Sequence, residues 1–166
     1  MHPNEALLRR EYEARAARND GVLAEILTDD VVWHVPGRNA IAGEYRGIDR
    51  VMEYVRRRRE LVEGMFEITV HDVLASDEHG LVIATGRATR GGMAFEWRAH
   101  GLYRFRDGRI AECWVLPENQ YEFDRIWSYL AGATLVLRSR TTVRWREPER
   151  PSQGIRTSPA SRLLGY

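Results

Sequence analysis

The sequence predicts an α+β protein in which helices cover one face of a curved antiparallel sheet. Three observations predict it. Apolar residues at helical spacing fill the first third of the chain, and from residue 66 they give way to strict alternation in four successive segments. The links between those segments are too short for crossover helices, and the last, Asp107-Gly108, tolerates the positive φ angles of a type I′ hairpin turn. At 166 residues the chain is long enough for one domain with a core of its own.

Each element has its own signal. Residues 4–18 read as an amphipathic helix with Leu7, Leu8 and Tyr12 near one face, and Asp20 can cap a short second helix carrying Val22, Leu23, Ile26 and Leu27. DDVVWHV (29–35) is a first strand, stopped by Pro36 and Gly37, and a glycine-bounded loop to Gly47 follows. Ile48, Val51, Met52 and Val55 make the inner stripe of a third helix. Strands follow at 66–75, 80–90, 93–105 and 109–116. Asn119 with Glu122 then forms a capping-box-like start to a closing helix bearing Phe123, Ile126, Trp127 and Leu130.

The strand 93–105 indicates which face of the sheet is buried. Phe95, Trp97, Ala99, Gly101, Tyr103 and Phe105 share one side, opposite Glu96, Arg98, His100, Leu102 and Arg104. The aromatic side is expected to turn under the helices. Gly101 in mid-strand marks a bend or a gap there. Beyond residue 130, TLVLRSRTTVRW (134–145) alternates cleanly and is expected as an extra edge strand, its arginines discouraging sheet-to-sheet pairing. The Pro-, Ser- and Arg-rich end after Pro148 reads as a flexible tail.

Composition narrows the function classes. Residues 1–130 carry 18 arginines against 22 acids, so the body lacks the clustered positive charge of a nucleic-acid footprint, whereas residues 131–166 carry 7 against 2. All 25 basic residues are arginine, which removes lysine Schiff-base chemistry. Cys113 is the single cysteine, and the five histidines lack ligand spacing, so neither a disulfide nor a metal site is expected. No apolar run spans a membrane, and the N-terminus lacks the apolar core of a signal peptide. The expected location is the cytoplasm.

His34 is the leading chemical candidate, because imidazole transfers protons near neutral pH. Strict alternation would leave it packed on Trp33 and hydrogen-bonded to the Gly37–Gly47 loop; a bulge before Pro36 would turn it inward. Trp33, Trp97 and Tyr103 are either core aromatics or the lining of a pocket for a flat apolar ligand. Tyr12 and Tyr45 are further hydroxyl donors. Glu118 and Asn119 stand where the sheet hands over to the closing helix. Glu96, Arg98 and His100 share a polar face that suits solvent or a dimer contact, and of the run Arg56–Arg59, Arg59 lies nearest the inner stripe of its helix.

W-H-x-P-G followed by a glycine-rich loop and helix (33–55), Y-R-F-x-D-G-R-I-A-E-x-W (103–114) and the closing helix resemble the SnoaL-like branch of the ketosteroid-isomerase and nuclear-transport-factor superfamily. The resemblance covers about residues 5–130 and implies a cone: a curved sheet wrapped over the N-terminal helices around an apolar pocket. It divides the chain into a cone domain (1–130) and a basic extension (131–166). Members of that family include isomerases, aldol cyclases, dehydratases, epoxide hydrolases and non-catalytic binding proteins. The implied function is a cofactor-free proton transfer on a small hydrophobic or polyketide-like substrate, with a hydrophobic-ligand binding protein as the alternative. His34 would be the acid/base, assisted by Tyr103 or Glu118. Trp33, Val35, Tyr45, Trp97, Gly101, Cys113 and Val115 would line the site. The family and the polar outer face together imply a homodimer through the outer sheet face. The chain departs from the family at its acid positions: Val35 and Gly101 stand where the isomerase has its two pocket acids, and Gly101 and Val115 where the cyclases have their acid–base pair.

Overall fold

The structure, a computed structural model, describes residues 1–62, 64–132 and 140–146. Helices α1 (Pro3–Ala17) and α2 (Asp20–Ile26) lead into β1 (Leu27–Val35) and β2 (Gly43–Arg46). Helix α3 (Ile48–Glu60) precedes β3 (Met65–Ala75), β4 (His79–Arg90), β5 (Met93–Arg106) and β6 (Arg109–Pro117). Helix α4 (Gln120–Ala131) and β7 (Arg140–Trp145) complete the described chain. The seven strands form one curved, unclosed sheet in the order β2-β1-β6-β5-β4-β3-β7. Among the described residues, no helix is long and apolar enough to cross a membrane.

The β3–β6 meander is antiparallel, as the short links require. The sheet as a whole is mixed: β1 runs parallel to β6, and β7 runs parallel to β3. Two local expectations are corrected. Asn19, not Asp20, caps α2, its side chain accepting from the Val22 N–H at 3.1 Å. Part of the expected loop is strand β2, which pairs with β1 from Val32↔Arg46 to Val35↔Gly43. Residues 134–139 and the stretch after Pro148 lie outside the described residues.

All four helices bury their apolar stripes against the concave face. Leu8 and Tyr12 of α1, Val51 and Val55 of α3, and Phe123 and Trp127 of α4 meet Phe95, Trp97, Tyr103 and Phe105 of β5, which are all buried. Alternation along β5 therefore decides the inside of the protein, as its aromatic side predicts. The β4–β5 ladder is interrupted halfway: Val82 pairs with Gly101 and Thr85 with Arg98, but no pair joins the residues between. The His100 ring enters this gap, where Nδ1 accepts from the Ala84 N–H at 3.4 Å.

Candidate functional site

A cavity of about 50 Å³ lies between the sheet and the helices. Helix α1 supplies Tyr12 and Arg15 to its wall, and α3 supplies Tyr54 and Arg58. Helical spacing brings these side chains inward. Leu8, Glu11, Tyr12 and Arg15 fall at i, i+3, i+4 and i+7, as do Val51, Tyr54, Val55 and Arg58. The sheet contributes Trp33, Trp97, Tyr103 and Cys113, with Gly101 and Val115 beside them. The space above Gly101 is not a vacancy, because the Tyr103 ring covers it.

The interior is not purely apolar. Glu11 is 1% exposed and holds Arg15 by two contacts, Nε to Oε1 at 2.6 Å and an Nη2 hydrogen bond to Oε2 at 2.9 Å. The Arg15 guanidinium also lies over the Tyr12 ring, 4.4 Å from its centroid. Burial raises the Glu11 carboxyl above its ordinary value, and Arg15 offsets part of that rise. Burial likewise pushes the Tyr103 hydroxyl and the Cys113 thiol well above their usual ranges, and Tyr12 and Tyr54 upward. These groups stay protonated and offer hydrogen bonds rather than negative charge. The Tyr103 hydroxyl reaches that of Tyr12 at 3.4 Å.

His100 borders the same cavity at the interrupted ladder. Its Nε2 is 2.9 Å from Glu118 Oε1, and Arg98 holds the other carboxylate oxygen at 3.5 Å. With Nδ1 accepting from Ala84, the proton sits on Nε2 and points to Glu118.

His34 is not in the cavity, which corrects the inward alternative. Strict alternation along β1 buries Trp33 and turns His34 to the outer face. There Nε2 lies 2.7 Å from Glu112 and Nδ1 3.2 Å from Glu44 of β2, and the ring stacks on Trp114 at 5.1 Å. The imidazole thus pins β2 to the sheet. Three other candidates also lie off the cavity wall. Val35 borders a separate open recess beside His34 and Trp114. Tyr45 donates its hydroxyl to the Ile41 carbonyl at 2.7 Å. Glu118 reaches the cavity only through His100. Trp33, Trp97, Gly101, Tyr103, Cys113 and Val115 do line it. Sequence reasoning passed over Glu11, Arg15 and Tyr54 and favoured Arg59 where Arg58 lies on the wall, although the helical spacing of these residues from Leu8 and Val51 places them on the buried stripes.

The profile of the SnoaL-like domain matches residues 8–113. An uncharacterized protein of Mycobacterium tuberculosis is 34% identical over 106 residues, which cover 63% of this chain and 80% of that protein. The structure of Bal32a, from a soil-derived mobile gene cassette, superposes with a TM-score of 0.71 at 27% identity, over 75% of this chain and 96% of that one. TerC, co-crystallized with polyporic acid, shares the fold at 16% identity and a TM-score of 0.66, over 75% of this chain and 97% of that one.

Proposed function

From the premise that the chain belongs to the SnoaL-like domain family, we propose that it is a cofactor-free enzyme moving a proton next to a carbonyl of a small hydrophobic substrate, in an isomerase, aldol-cyclase or dehydratase type of reaction. The observation that carries this reading is the pairing, around one cavity, of a carboxylate-held imidazole with two buried hydroxyl donors. For this, His100 Nδ1 gives up its long 3.4 Å contact with the Ala84 N–H and takes the proton from the carbon beside the carbonyl, while Glu118 stabilises the resulting imidazolium through Nε2–H. The electron pair of the broken C–H bond moves into an enolate. Its oxygen accepts a hydrogen bond from the Tyr103 hydroxyl, whose proton turns from Tyr12 to the enolate while Tyr12 donates to Tyr103 in exchange. In an isomerisation the imidazolium then returns the proton to another carbon of the substrate. In an aldol closure it returns it to the alkoxide formed when the enolate carbon attacks a second carbonyl of the same molecule, and in a dehydration to the β-hydroxyl group that leaves as water.

The cavity is smaller than the roughly 150 Å³ that takes a benzene ring, so a cyclic substrate enters only as lining side chains move. That size, with Val35 and Gly101 at the family's acid positions, favours the second reading: a binding protein for a small hydrophobic molecule. Hydrogen–deuterium exchange separates the two. Benzoylacetone in deuterated buffer, followed by NMR, should lose its α-hydrogens faster with the protein than without it. Tyr103→Phe should slow that gain while the protein stays folded. Saturable binding of benzoylacetone with no added exchange would establish the binding reading instead.

A further inference from the structure

The run Arg56–Arg59 closes helix α3, and three of its four guanidinium groups have partners. Arg56 lies 3.9 Å from Asp20, Arg57 donates to the Ala40 carbonyl at 3.1 Å, and Arg59 donates to the Arg15 carbonyl at 2.8 Å. Arg58 turns inward instead, onto the wall of the central cavity and of a smaller one of about 20 Å³ on its far side. Its Nε is buried with no hydrogen-bond partner, and among the described residues no carboxylate lies within ion-pair distance of it; Glu11, paired with Arg15, acts on it from farther away. The rings of Phe66, Tyr54 and Trp127 stack against it at 5.2, 5.5 and 5.6 Å. Such stacking softens the cost of burial but supplies no lone pair for the N–H groups.

Charge balance sharpens the point. Arg15, the other guanidinium at the wall, is answered by Glu11. Two positive groups facing one negative group leave the chamber wall with an excess of positive charge, and at half-buried Arg58 the enclosed Nε–H has no acceptor. The neighbouring tyrosine hydroxyls and the Cys113 thiol are donors and cannot supply that charge. From this arrangement we infer that the chamber takes an anionic ligand, a small carboxylate whose oxygens meet the Arg58 fork while its apolar part lies among the aromatic rings. A planar guanidinium matches a carboxylate with two parallel hydrogen bonds, which a neutral amide cannot reproduce. The inference rests on the reading of this cavity as a ligand site, and it names the ligand class.

The test uses the full chain and two probes of the same shape, benzoate and neutral benzamide, which require the same movement of the lining so that their ratio reads the charge alone, with quenching of tryptophan fluorescence as the readout. The wild type should bind benzoate at least about tenfold more tightly than benzamide, the worth of one charge-assisted hydrogen bond. Arg58→Gln should abolish that preference, and Arg58→Lys, which keeps the charge but not the fork, should retain part of it. Melting curves of both variants establish that they are folded; if Arg58→Gln does not fold, the benzoate-to-benzamide ratio of the wild type and Arg58→Lys decides. Equal binding of both probes would overturn the anion inference and leave the ligand-site reading standing. Binding of neither at millimolar concentration would overturn the inference for carboxylates, and the benzoylacetone exchange would decide the proton-transfer reading alone.

Discussion

The ring of Tyr103 lies directly over Gly101, two residues earlier on the same strand, so closely that a Cβ at Gly101 would stand 2.5 Å from Tyr103 Cε2. Tyr103 is 1% exposed and can yield only into the small cavity that it lines. Gly101→Ala should therefore cost about 1–3 kcal/mol, the usual range for overpacking a core. Urea unfolding of Gly101→Ala, Tyr103→Ala and the double variant checks the cause. The double variant should be less damaged than the sum of the single ones, because the small side chain at position 103 removes the clash.

Glu11→Gln leaves Arg15 buried without its counter-charge. Loss of one partner from a buried pair costs about 3–5 kcal/mol, and chemical denaturation should show a loss of that order. Replacing both residues with methionine should be milder, since no unpaired charge remains. Equal losses for the two variants would mean that the pair acts as packing and not as charge.

The Glu112 carboxylate predicts a pH dependence. Its partial burial works against ionisation, but the hydrogen bonds from His34 and Arg104 outweigh burial and hold its pKa below the ordinary 4.5. A lowered pKa in the folded state means stability that is fully present above 4.5 and is lost as pH falls through the folded value. Glu112→Gln should thus be less stable than the wild type at neutral pH. The gap should narrow as pH falls below 4.5, as read by thermal melting across an acid series.

The two histidines should separate by position. His34→Gln should leave benzoylacetone exchange within about threefold of wild type, because the ring lies on the outer face, and should lower the melting temperature through the lost Glu44 and Glu112 contacts. His100→Gln should reduce exchange at least about 100-fold, the lower range for a general base. The reverse ranking would return the acid–base role to His34.

Much of this fold was legible because alternation and capping are local signals. The β5 pattern identified the buried face, Asn119 caps α4 by accepting from the Glu122 N–H at 3.1 Å, and Asp107 and Gly108 adopt the positive φ angles of 52° and 70° expected at the β5–β6 turn. Strand β2 was not legible, since four residues carry too little pattern and their pairing is imposed by β1. The site was legible on its sheet side and at Tyr12. Glu11, Arg15 and Arg58 are charged, and charge on a helix normally signals solvent. Only the tertiary arrangement, with Glu11 answering Arg15 and three rings beneath Arg58, reveals why they are inside.

Strand β7 runs alongside β3 from Met65↔Arg140 to Val70↔Trp145, and its Arg144 reaches the buried Glu67 at 2.9 Å. Thr141 and Val143 close the small hollow behind Arg58. A chain shortened before this strand would present the backbone of β3 as a bare rim, with a carboxylate stripped of its nearest cation beside it. Such a rim is a template for chain-to-chain pairing, so the shortened protein should self-associate at concentrations where the full chain stays dispersed.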